Sequence, residues 1–410
     1  MMRNSFFRYF IGGFFVFVSC NETQSPVDLT SVIRPVGVIP SAQNGYGDGS
    51  DQLAQPDDVE ILFDGSMVIT DVDNNRIQHF SSNGELLKSI VAKDLGLSNK
   101  NIIPTGVAKD RDGFIYITLE GVGLVVRLTP NLMFDQLIGR PCDVVAEDYY
   151  RPENDGCLIK PQGLVVAKNG DIYVVDMAKK NFKKSGMRNF GFRKFKQTKP
   201  AGVVSYVYDR EFASTQEVTK IMRKSEGMAI SPDQKTLYIA EEKPHKNQFG
   251  NKNKFRYVAA FDLSSGKFYN KLFGITMDND SIIDGVFNNS VEGISTFENY
   301  LFAVDEKGGK VAFFDINSGD HLGFLGNRAY YYCDDESDCI IDGINYNEQT
   351  IIAGGAMSHL KNDWHKNELA SPDGISAISL NDGSKQLAVV DQWNSRILLY
   401  DLAEILKALD

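Results

Sequence analysis

Histidine is scarce, five in 410 residues, and no HExxH pair occurs, which removes the helix-borne zinc hydrolases. There is no GxSxG elbow and no P-loop, so neither a serine-elbow hydrolase nor a nucleotide-phosphate cradle is present. Positive charge is in deficit: 43 Lys and Arg face 54 Asp and Glu, a net charge of −11. A nucleic-acid binder needs a basic face to release counterions from phosphates, so that class is excluded. No apolar run approaches the ~20 residues that span a bilayer. What remains is a chain with 42% hydrophobic residues, enough for a large buried core, and abundant acid.

The N-terminus reads as a targeting segment over 1–20. Arg3 and Arg8 form a positive region, a short Phe-rich apolar run follows over 9–18, and Phe17-Val18-Ser19-Cys20 resembles a bacterial lipoprotein cleavage box. Phe17 departs from that box, which usually has Leu there. Lipidation is expected at Cys20, with ordinary secretion as the alternative. Asn21 after the cysteine favours the outer membrane within the cell envelope, and 21–30 reads as a tether. The other four cysteines fall into two local pairs, Cys142 with Cys157 and Cys333 with Cys339, each bracketing an acidic loop. In an exported chain an even number of loop cysteines reads as disulfides.

The chain is organised around Ser225-Glu226-Gly227-Met228-Ala229-Ile230, a turn at Ser231-Pro232-Asp233, and a second strand that ends in Glu241-Glu242. The same grammar recurs. Copies begin at Pro56-Asp57-Asp58-Val59, Pro104-Thr105-Gly106-Val107, Pro161-Gln162-Gly163-Leu164, Val291-Glu292-Gly293-Ile294 and Pro372-Asp373-Gly374-Ile375. Each continues as short strands punctuated by Asp-Gly, Asn-Gly or related turns. Repeats of this period, each a four-stranded antiparallel sheet, predict an all-β, six-bladed β-propeller over 31–402. A lone strand over 32–39 is expected to close the ring as the outermost strand of the last blade. The segment 341–357 reads as part of an insertion with a short hairpin, and 403–410 as a short helix or tail. The units Asp71-Val72-Asp73-Asn74-Asn75-Arg76 and Asp391-Gln392-Trp393-Asn394-Ser395-Arg396 resemble NHL-type repeats, in which the Asp, Asn and Arg stabilise a turn.

In a propeller the first residues of each inner strand face one mouth of the central channel. Here these are Asp57, Thr105, Gln162, Glu226, Glu292 and Asp373. Four carboxylates around one opening repel each other by several kcal/mol unless protonated or bridged by a cation. Hard oxygen donors without a His or Cys cluster point to Ca²⁺. The alternative is a wet channel in which the acids merely cap strand ends. A basic, Phe-rich insertion at about 179–199 is read either as a solvated loop or as a positive rim that steers a polyanion inward.

Residues 225–316 resemble the second half of the β-propeller phytases, calcium-dependent phosphomonoesterases, through Ser225-Glu226-Gly227-Met228-Ala229, the strand ending in Glu241-Glu242, and Glu292-Gly293-Ile294. Asp373-Gly374-Ile375 resembles their later Asp-Gly-Ile element. The resemblance implies that Glu226, Glu242, Glu292 and Asp373 hold catalytic or structural calcium, with Glu306 standing where the family has a Gln ligand. Asp57 is a further candidate metal ligand from its place at the channel mouth. It implies phosphate binding by Lys179, Lys180 and Gln162. Several phosphate ligands of the family have no counterpart: Asp73-Asn74 and Glu120-Gly121 stand where it carries basic groups. The expected function is thus Ca²⁺-dependent hydrolysis of a phosphorylated small molecule by a lipid-anchored monomer. The alternatives are a non-catalytic NHL-type binding propeller and a gluconolactonase-like lactonase or esterase with one central Ca²⁺.

Overall fold

The computed structural model describes residues 25–40, 47–98, 100–142, 154–177, 190–213, 218, 221–222, 224–241, 255–278, 281–287, 290–328, 339–341, 344–346 and 368–410. Six sheets form the blades of a propeller, each built on four antiparallel strands. In blades one to four these follow in sequence order from the axis outward, while blades five and six each take an outermost strand from the N-terminal segment. The innermost strands are Pro56–Ile61, Pro104–Lys109, Pro161–Val166, Met228–Ile230, Val291–Phe297 and Pro372–Ser379. Each packs against the next around the ring, and the last against the first.

The second strand of a blade is apolar at nearly every position because both of its faces are covered. In Thr236–Ala240, Leu237 and Ile239 enter a core shared with Tyr173 and Val175 of blade three. Tyr238 and Ala240 point the other way, into a core shared with Val291 and Ile294 of blade five. Six such cores fill the six gaps between blades. Burial of one large aliphatic side chain contributes roughly 1.5–3 kcal/mol, and no blade can gain it without its neighbours.

The ring closes as expected, through a shorter strand. Gly37–Ile39 pairs antiparallel with Arg396–Asp401 as the outermost strand of blade six. The preceding residues turn instead, and Ile33 drops into the core between blades five and six. Part of the segment read as a tether over 21–30 is instead packed against the ring. Val27–Asp28 adds a parallel strand to His321–Leu325 of blade five, because Leu29 is fully buried in the same core and holds the segment down. The C-terminus is the helix Leu402–Leu409, capped by Asp401, whose carboxylate accepts from Ala403 N at 2.9 Å. Its Leu402, Ile405 and Leu406 face the same core.

The reading of 179–199 as a solvated basic insertion is corrected in its second half. Phe190–Thr198 is the third strand of blade three, with Phe192 and Phe195 entering the cores on its two faces. Arg193 is buried and donates to the Cys157 carbonyl at 3.1 Å and the Tyr208 hydroxyl at 2.8 Å. Lys194 lies between Asp171 at 3.3 Å and Asp209 at 3.4 Å. The Cys142–Cys157 disulfide is formed. A short hairpin of Cys339–Ile341 and Ile344–Tyr346 is present. Cys20, Cys333, Lys179, Lys180 and Glu242 lie outside the described residues.

Candidate metal centre

The channel mouth is built by glycine. In five blades the channel residue is followed by glycine, at Gly106, Gly163, Gly227, Gly293 and Gly374. A Cβ on Gly106 would stand 2.6 Å from the Gln162 carbonyl oxygen, and on Gly163, Gly227 and Gly293 it would overlap the carbonyls of Glu226, Glu292 and Asp373. Adjacent inner strands can touch only because these side chains are missing, and this contact holds the channel residues at one level. In five blades the pairing of inner and second strand also slips here, as between Val291 and Ile294 or Pro372 and Ile375. Such bulges re-aim a side chain. Blade one carries Asp58 in place of glycine. Its carboxyl accepts from Val107 N and Val59 N, each at 2.9 Å, and so bridges to blade two. Burial pushes that carboxyl up to about 7 despite these donors.

Glu226, Glu292 and Asp373 come from blades four, five and six, yet one carboxylate oxygen of each lies within 4.8 Å of the other two. Glu292 is 5% exposed. Its Oε1 accepts from the Ser290 hydroxyl, while Oε2 is buried without a hydrogen-bond partner. Glu226 accepts from Lys224 Nζ at 2.8 Å, and Asp373 accepts from Gln392 Nε2 at 2.8 Å. Burial, before any neighbour, pushes the carboxyls of Asp57, Glu292 and Asp373 well above the ordinary range, and the Glu226 carboxylate adds to all three. Burial works to lower the Lys224 ammonium, but Glu226, Glu292 and Glu306 outweigh it and raise it.

The other expected site residues are placed differently. Asp57 lies beside the trio, near enough for its charge to act on Asp373. Glu306 follows the second strand of blade five, accepts from Ser371 Oγ at 2.9 Å, and reaches the trio only through its charge. Gln162 is not a free phosphate donor: its Nε2 donates to Glu120 Oε2 at 2.6 Å, and Glu120 is also paired with Lys160. Lys224, Glu120, Asp58 and Gln392 were not among the site residues read from the sequence. A signal existed for Lys224, a cation two residues before Glu226 in the sequence.

The two NHL-like units are structural. Arg76 Nε and Arg396 Nε each donate at 2.7 Å to Asp71 and Asp391. Asn74 and Asn394 donate to the same carboxylates at 2.9 and 2.8 Å. The second carboxylate oxygen accepts from Ala54 N or Ala370 N at 2.7 Å, tying down the loop that enters the inner strand. Asp176 does the same for Ile159 and Lys160 in blade three.

The residues of the trio fit a hard divalent cation. Three oxygen donors converge from separate blades, and a buried carboxylate oxygen without a partner is costly unless a cation supplies one. The trio lines one end of a cavity of about 670 Å³ that follows the inner strands. No protein-family model matches the chain, and no curated protein sequence does either. Among solved structures, it is similar to a gluconolactonase from Xanthomonas campestris, with 14% identity over 90% of this chain and 97% of that one and a TM-score of 0.47. A calcium-binding protein, regucalcin, from Agrobacterium tumefaciens shares 10% identity over 87% and 94%, with a TM-score of 0.45. A streptogramin B lyase shares 14% over 85% and 93%, with a TM-score of 0.42. Identities this low carry no residue roles across.

Proposed function

We propose that this chain is an exported, divalent-cation-dependent hydrolase of carboxylic esters or lactones, with Ca²⁺ as the ion. The observation that carries it is the convergence of Glu226, Glu292 and Asp373 within 4.8 Å, with Glu292 Oε2 buried and unpartnered. Those three side chains would hold the ion, and an ion bound there polarises an ester carbonyl as a Lewis acid. Asp57, beside the trio with its carboxyl raised, is the group available to take a proton from water. Lys224 neutralises Glu226 and orients it.

The field favours a neutral ester over a phosphate. Among the described residues the trio, Asp57, Asp58, Glu120 and Glu306 surround the mouth, and Lys224, the nearest cation, is already committed to Glu226. A phosphate dianion would enter against that charge. The test is hydrolysis of a panel of lactones, aryl esters and phosphomonoesters including phytate, with Ca²⁺ and with a chelator. Calcium-dependent ester or lactone cleavage, lost in Glu292→Gln, is expected. Phosphate release without ester cleavage would return the phosphomonoesterase reading, and calcium binding without turnover on any substrate would leave a binding propeller.

A further inference from the structure

The cavity changes character along its length. All the inner strands run away from the carboxylates, so Asp57, Glu226, Glu292 and Asp373 line one end and Phe63, Ile230, Phe297 and Ile378 the other, within one cavity of about 670 Å³. Asp373 and Ile378 share one strand, which puts them roughly 17 Å apart at about 3.4 Å per residue. The wall between the ends includes Leu164, Met228 and Ile294.

Two rings at the apolar end are held by the same device. Lys109 Nζ stands 5.2 Å from the Phe63 ring centroid and is paired with Glu60. Lys385 Nζ stands 5.2 Å from the Phe297 ring and 2.7 Å from Glu298. Each lysine lies against a ring while a glutamate cancels its charge, so the mouth presents aromatic surface without a net field. Phe63 is 38% exposed and so offers part of its ring to solvent.

Resting on the ester-hydrolase reading, we infer that the substrate is an amphiphile. Its ester or lactone carbonyl occupies the carboxylate end, and an unbranched alkyl or acyl tail runs along the channel to Phe63 and Phe297. Cleavage adds one water across the acyl–oxygen bond, giving a carboxylic acid and an alcohol, and requires no other reactant. Each methylene that leaves water should tighten binding by up to about fourfold.

The test measures binding rather than turnover. Calorimetry with neutral, non-hydrolysable n-alkyl acetamides from butyl to decyl is run on the wild type, on Glu292→Gln and on Phe63→Ala/Phe297→Ala. Kd should fall steadily with chain length in the wild type and in Glu292→Gln alike. The double variant should bind the decyl compound at least tenfold more weakly and the butyl compound almost unchanged. Phe63→Ala alone, at a part-exposed position, serves if the double variant unfolds, with a smaller loss in the same direction. A Kd independent of chain length, or unaffected by losing the rings, overturns the inference. Failure to hydrolyse any ester would instead refute the reading beneath it, because the binding series does not depend on catalysis.

Discussion

Replacing Glu292 by Gln should stabilise the cation-free protein above neutral pH and abolish its response to calcium. With carboxylate oxygens no more than 4.8 Å apart, each ionised pair in the trio repels by about 3 kcal/mol at an effective dielectric near 20. Lys224 offsets part of this, and proton uptake relieves more, which is why burial and the neighbouring carboxylates raise the Glu292 carboxyl. Unfolded, that carboxyl ionises at about 4.3. Between that value and its raised folded value the folded state binds more protons, so stability falls as pH rises through the window. The neutral amide of the variant would carry no such penalty. In chelator the variant should match the wild type near pH 4 and exceed it by about 1–3 kcal/mol at pH 8. Calcium at a thousand times its Kd should then add about 4.1 kcal/mol to the wild type alone and reverse the order. Urea unfolding at both pH values, with calcium and with chelator, reads all four states. A variant that is no more stable than the wild type in chelator at pH 8, or that gains from calcium equally, would refute the reasoning.

Further expectations concern the frame around the site. Arg396→Met leaves Asp391 buried without its counter-charge and should cost about 3–5 kcal/mol by chemical denaturation. The same change at Arg76, whose side chain is 11% exposed, should cost less. Gly163→Ala forces a methyl against the Glu226 carbonyl; it should destabilise by about 1–3 kcal/mol and weaken calcium binding measured by titration. Opening the Cys142–Cys157 bridge with reductant frees a loop of sequence separation 15 and should lower stability by about 3 kcal/mol, visible as a fall in Tm.

Much of the frame was legible because it repeats. A strand, a polar turn and an apolar strand ending in acid recur at a regular period, and both-face burial of the second strand follows from runs such as Leu237-Tyr238-Ile239-Ala240. The register of residue and glycine, as in Glu226-Gly227 and Glu292-Gly293, already marked the channel positions. Three things escaped. Phe190–Thr198 looked like a solvated loop because Arg193 and Lys194 interrupt its apolar pattern, and only Asp171, Asp209 and the Cys157 carbonyl explain their burial. Val27–Asp28 is too short to announce a strand, and it exists because Leu29 finds a core made by residues some 300 positions away. Gln162 looked free until Glu120, from the neighbouring blade, took its amide.

The amino-acid order alone determined that six alike sheets would form and that an acidic residue would stand at the head of several inner strands, since alternation and turn chemistry are local. Only the closed ring decided which of those acids meet. Glycine-permitted contact between neighbouring backbones brings Glu226, Glu292 and Asp373 together and leaves Glu306 to one side. Proximity across blades depends on where the circle closes, and no spacing along the chain encodes that.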